Sequence, residues 1–210
     1  MSLPNQLTVL RIILTPVFVI LLFMEHIYFK YVSFVVFLIA TLTDWYDGYA
    51  ARKFGYVTVW GKFLDPLADK ILMSSAFISL NLLGYIKLWM VVVIVFRDFL
   101  ITALRSYAMF KGQPIITSNL ARWKTVSQMA AVYFILVYFL VEKSSIPPGE
   151  LLFVKVIMNK INEVQFIDKL MLFVTFLTVA TGVLYLVENR RHIKNMILAF
   201  YRVFIPSDLG

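Results

Sequence analysis

The sequence predicts an all-α integral membrane protein, a bundle of about six transmembrane helices with an interfacial N-terminal segment and an amphipathic C-terminal tail. Three observations predict it. Of the 210 residues 61% are hydrophobic and only 15% charged, against roughly 45–50% and about 25% in a soluble domain, so the surplus apolar surface calls for a non-aqueous solvent. Six stretches approach the roughly 20 mostly apolar residues that a spanning helix needs. Finally, Lys and Arg outnumber Asp and Glu by 20 to 12, and the excess collects at one end of those stretches.

The six spans are expected at about residues 6–24, 31–51, 61–83, 88–110, 120–141 and 167–187. The start, from Met1 to Asn5, lacks a basic region, and the first apolar run contains Arg11 and Pro16, so no cleavable signal peptide is expected. Residues 142–165 are mixed in character, pass through Pro147, Pro148 and Gly149, and read as the longest loop, part of it lying flat on the membrane. Residues 1–187 form the membrane domain. In residues 188–210, Arg190, Arg191, Lys194 and Arg202 stand among apolar residues, as in an interfacial amphipathic helix.

An even number of spans puts both termini on one side. That side collects 14 of the 20 Lys and Arg residues, and the other collects six, Lys30, Lys87 and Lys143 among them. The positive-inside bias then places both termini and the active site at the cytoplasmic face of the cytoplasmic (inner) membrane. The net charge of +8 would suggest nucleic acid as a partner for a soluble chain. In a membrane chain it belongs with anionic lipid instead, so the bilayer is the expected partner and nucleic acid is not. There is no cysteine, which excludes a disulfide frame and thiol chemistry.

The second and third stretches hold four carboxylates, Asp44, Asp47, Asp65 and Asp69. Each charge at mid-bilayer costs about 2.5–3.5 kcal/mol on the insertion scale, so intramembrane carboxylates are functional by default. A structural ion-pair network is the alternative, but Lys62 and Lys70 are too few to neutralise four acids. Asp44, Asp47, Gly48 and Ala51 share one helix face, as do Gly61, Asp65 and Asp69. If the two helices are antiparallel neighbours, the carboxylates converge, and the small residues leave room for a ligand against the backbone. Ligands that are all oxygen select hard cations such as Mg²⁺ or Mn²⁺, and four carboxylates suffice for two metals about 3.5–4 Å apart. Arg52 adds a bidentate phosphate donor. Together these groups suit a pyrophosphate-bearing substrate.

From Asp44 the chain reads Asp44, Asp47, Gly48, Ala51, Arg52, then Gly61, Asp65 and Asp69, eight specified positions over 26 residues. This resembles the complete signature of the CDP-alcohol phosphatidyltransferases, a six-helix membrane family. The resemblance implies that the four aspartates bind two divalent cations, Mg²⁺ or Mn²⁺, and that Asp69 is also the catalytic general base. It implies that Gly48, Ala51, Arg52 and Gly61 hold the CDP moiety, and that the protein is a homodimer.

Three shorter matches resemble the branch of that family that makes phosphatidylglycerophosphate. They are Pro4, Asn5, Leu7, Thr8 and Arg11; Arg97 and Asp98 followed by Leu104 and Arg105; and Lys124, Thr125 and Gln128. That branch usually has glutamate where Asp98 stands. The implied reaction is transfer of a phosphatidyl group from CDP-diacylglycerol to glycerol 3-phosphate. Such an acceptor is a dianion and needs cations of its own. Arg97, Arg105, Arg122 and Lys124 are the candidates for its phosphate; ordinary positive-inside residues are the plainer reading of Arg122, and pairing with Asp98 that of Arg97. Asn5, Thr8 and Arg11 are candidates for the donor headgroup, or else an interfacial anchor.

Inositol phosphate, serine or phosphatidylglycerol as acceptor would leave the metal-site reasoning unchanged. A divalent-cation transporter is the alternative of a different class. Against it, the Asp-x-x-Asp-Gly unit does not recur in the second half of the chain, whereas many transporters are built from internal repeats.

Overall fold

The computed structural model describes residues 3–54, 59–110, 119–144 and 152–190. In them the apolar runs form seven helices: α1 (Leu3–Phe23), α2 (Ile27–Phe54), α3 (Val59–Leu82), α4 (Leu88–Phe110), α5 (Asn119–Lys143), α6 (Leu152–Glu163) and α7 (Phe166–Glu188). In lipid, a helix satisfies its backbone groups within the segment, which is why such runs fold this way. The N-terminal segment expected at the interface is part of α1 from Leu3 onward. The stretch expected to be the longest loop contains a helix, α6, of 12 residues. The expected C-terminal tail lies outside the described residues beyond Arg190.

Packing follows chain order at first and then departs from it. Helix α1 packs against both α2 and α3, α3 against α4, and α7 against α4, α5 and α6, while α5 also meets α2 and α3. The core is aromatic and aliphatic. Phe18 and Phe37 meet at 5.1 Å between ring centroids, Phe37 meets Tyr133 at 5.2 Å, and Phe77, Leu80, Met90, Ile135 and Phe139 are fully buried beside them. Tyr133 and Thr41 share a hydrogen bond across α5 and α2. The outside is also apolar: Ile20, Phe96, Phe173 and Phe176 are each more than half exposed. Such a coat belongs against hydrocarbon rather than water. Among the described residues three helices, over Gln6–Phe23, Trp123–Lys143 and Phe166–Glu188, are long and apolar enough to cross a membrane.

A tight turn joins α3 to α4. Gly84 has φ of +86° and ends α3 with the hydrogen bonds Gly84 N–H to Asn81 O, 2.9 Å, and Tyr85 N–H to Leu80 O, 3.0 Å. These are the two bonds of a Schellman cap, in which glycine takes the left-handed position without a Cβ penalty. Next to this turn lies a cavity of about 360 Å³ between the α3–α4 turn, the end of α5 and the α6–α7 junction. Its polar groups pair with one another. Tyr85 donates to Glu142 at 2.6 Å, Lys87 pairs with Asp168 at 3.0 Å, and Tyr138 donates to Asn162 at 2.7 Å. Burial, and then the Glu142 carboxylate, push the Tyr85 hydroxyl above its ordinary pKa, so it stays a donor. This network ties α6 to the bundle about 15 residues along α3 from Asp69, counted at the Gly84 turn.

Candidate active site

Helices α2 and α3 carry the acidic signature. Asp44 and Asp47 fall within α2 and Asp65 and Asp69 within α3. Of the four, Asp69 has a described side chain. It is mostly buried, at 19% exposure, and its Oδ2 accepts from Lys70 Nζ at 2.5 Å. The side chains of Asp44, Asp47, Gly48, Ala51, Arg52, Gly61, Asp65 and Asn5 lie outside the described residues.

On α1, the helix packed against both α2 and α3, Thr8 and Arg11 stand one turn apart and are buried, at 1% and 0% exposure. An interfacial anchor would keep its guanidinium in water. Arg11 faces the interior of the bundle instead, on the helix that touches both acid-bearing helices.

A second polar cluster forms where α4, α5 and α7 meet. Asp98, 4% exposed, is its centre. It accepts from Arg97 Nη1 at 3.2 Å and from the buried Lys124. The aspartate, shorter than the glutamate usual in the related branch, thus still reaches both cations. Arg97 also donates from Nη2 to Thr181 Oγ1 of α7 at 3.1 Å. Its side chain lies over Gly182, where an added Cβ would stand 3.0 Å from Arg97 Nε, so glycine makes room for the guanidinium stem. Gln128 Nε2 donates to Thr178 Oγ1 at 3.2 Å, linking α5 to the same face of α7.

Above this cluster is a cavity of about 100 Å³ whose lining includes Arg97, Asp98, Arg105, Lys124 and Tyr185. Lys70 lines it as well, and Lys70 is the residue bonded to Asp69. The acid on α3 and the basic cavity are therefore next to each other. Cations outnumber acids around the cavity, so it favours an anionic guest. Arg97 and Lys124 are already engaged with Asp98, whereas Arg105 is exposed and among the described residues has no ion-pair partner. Arg122 has its side chain outside the described residues.

Sequence reasoning missed the contribution of α7. The buried positions Thr175, Thr178, Thr181, Gly182 and Tyr185 recur every three or four residues, a one-face pattern of small and hydroxyl side chains that was legible in principle.

A helical bundle with an apolar exterior, a mostly buried acid and an adjoining cation-lined cavity is consistent with a membrane protein. The chain belongs to the CDP-alcohol phosphatidyltransferase family, whose sequence model matches residues 1–201. It is 40% identical over 149 residues to the CDP-diacylglycerol–glycerol-3-phosphate 3-phosphatidyltransferase of Bacillus subtilis, covering 65% of this chain and 77% of that protein. To the protein of the same name from Rickettsia typhi it is 35% identical over 131 residues, covering 62% and 74%. To a probable phosphatidylglycerophosphate synthase of Mycobacterium tuberculosis it is 38% identical over 134 residues, covering 62% and 64%.

Arg105→Ala is expected to raise the Michaelis constant for an anionic acceptor more than that for the nucleotide donor. Steady-state kinetics with each substrate varied in turn checks this, and a selective loss of donor affinity would move Arg105 to the nucleotide side.

Proposed function

We propose that the protein transfers a phosphatidyl group from CDP-diacylglycerol to the hydroxyl of sn-glycerol 3-phosphate, releasing CMP and giving phosphatidylglycerophosphate. The observation that carries the reading is the cation-lined cavity adjoining Asp69 through Lys70. A phosphorylated acceptor seated there would hold its phosphate among Arg97, Arg105, Lys124 and, by its place at the start of α5, Arg122, with its hydroxyl end toward Asp69. The names of the similar proteins support the same acceptor.

Asp69 takes the proton of the acceptor hydroxyl. The freed oxygen attacks the β-phosphorus of the donor, a new P–O bond forms, and the bond to CMP breaks with its electron pair leaving on CMP. The donor set of Asp44, Asp47, Asp65 and Asp69 is all carboxylate, which fits two hard divalent cations, Mg²⁺ or Mn²⁺. When bound they would supply positive charge at the pyrophosphate oxygens. Gly48, Ala51, Arg52 and Gly61 hold the CDP moiety in this reading. Asn5, Thr8 and Arg11 complete the donor site from α1, and the burial of Thr8 and Arg11 supports an inward role.

In the same reading α1 to α5 and α7 make six spans, with both termini at the cytoplasmic face of the cytoplasmic membrane and the protein a homodimer. Helix α6, 12 residues and about 18 Å long, is too short for a hydrocarbon core of about 30 Å and lies on the opposite surface. Removing divalent cations with a chelator is expected to abolish CMP release, and Mg²⁺ or Mn²⁺ to restore it. Full turnover in the chelator would contradict the metal assignment.

A further inference from the structure

We propose that Tyr185 of α7 is an acceptor-binding residue, its hydroxyl donating a hydrogen bond to a phosphate oxygen of the acceptor. This rests on the acceptor reading above and adds to it a residue that no sequence motif marked. Tyr185 is 7% exposed, and its hydroxyl is buried with no hydrogen-bond partner among the described residues. A buried donor left unmatched costs free energy and is rare unless a ligand, ion or water completes it. Tyr185 lines the same cavity as Arg97, Arg105 and Lys124, so what completes it there is drawn by positive charge. A group that accepts a hydrogen bond and carries negative charge fits, and a phosphate oxygen is both.

The neighbouring contacts explain how the hydroxyl is held. Tyr185 follows Thr181 and Gly182 by one turn on the inward face of α7. Thr181 fixes α7 to Arg97 through the 3.1 Å hydrogen bond, and Gly182 lets the Arg97 side chain lie against the helix. The aromatic ring is thereby set beside the guanidinium groups, and its oxygen is the part left unsatisfied.

The test is Tyr185→Phe in the full-length protein, which keeps the ring and removes one oxygen. With glycerol 3-phosphate varied, the acceptor Michaelis constant should rise about tenfold or more, the expected loss for one hydrogen bond to a charged group, while the donor constant stays within about twofold. The thermal midpoint of the ligand-free variant should equal or exceed that of the wild type, because an unmatched buried hydroxyl has been removed. An unchanged acceptor constant would overturn the proposal. So would a lowered midpoint with both constants moved together, the mark of a structural hydroxyl. A wild-type protein that releases no CMP with glycerol 3-phosphate would instead overturn the acceptor reading itself, and would be seen before the variant is compared.

Discussion

Asp69→Asn is expected to cut CMP release about 100- to 10,000-fold, the usual worth of a positioned general base, while CDP-diacylglycerol binding largely persists. Asparagine keeps the shape of the side chain and one oxygen able to ligate a cation, but it cannot take a proton from the acceptor at neutral pH. The mostly buried position of Asp69 and its 2.5 Å contact with Lys70 hold the carboxyl at the edge of the basic cavity, so the loss should fall on turnover. Single-turnover CMP release alongside a donor-binding titration separates the two effects. Wild-type turnover in this variant would remove Asp69 as the base; loss of donor binding with turnover would make it chiefly a metal ligand.

The second large effect is on stability. Asp98→Ala is expected to destabilise the protein by about 3–5 kcal/mol, as breaking a buried ion pair from one side does. Asp98 is the acceptor for both Arg97 and Lys124, and Lys124 is 2% exposed. Without the carboxylate two cations share a mostly buried site that joins α4, α5 and α7. Detergent-solubilised protein should show a much lower unfolding midpoint, or fail to accumulate. Asp98→Glu, which keeps the charge and matches the related branch, should retain most of the stability. A midpoint unchanged in Asp98→Ala would mean that the three side chains are hydrated and the pairing is weak.

Much of the architecture was legible because membrane helices are written in composition. The fourth apolar stretch, expected at residues 88–110, coincides with the helix α4 (Leu88–Phe110). The helices at the other five expected stretches run longer than their apolar runs at one or both ends, α2 by four residues at its start and three at its end, because a helix continues into polar ends that hydropathy discounts. Helix α6 falls in the stretch that the sequence predicts as a long loop lying partly flat on the membrane: its apolar residues are interleaved with Lys155, Asn159, Lys160 and Asn162, and Pro147, Pro148 and Gly149 stand just before it. The acidic signature is local, so two helices displayed it directly. The basic cavity is not local. It draws on α3, α4, α5 and α7, and no spacing within one segment encodes a meeting of four. Asp98 stood beside Arg97 in the sequence, but its bond to Lys124, 26 residues away, appears once α4 and α5 are placed. Thr181, Gly182 and Tyr185 were passed over because hydroxyl and small residues sit comfortably in a spanning helix, and their common face matters only where α7 lies against Arg97.

The most direct test of the proposed reaction is CMP release from CDP-diacylglycerol by the purified protein in detergent or liposomes with Mg²⁺ or Mn²⁺. Glycerol 3-phosphate, inositol phosphate, serine and phosphatidylglycerol would be offered in parallel. Metal-dependent release with glycerol 3-phosphate alone, with phosphatidylglycerophosphate as the lipid product, is the predicted result. Release with a different acceptor alone would contradict the assignment of the basic cavity, and no metal-dependent release with any of them would contradict the reaction itself.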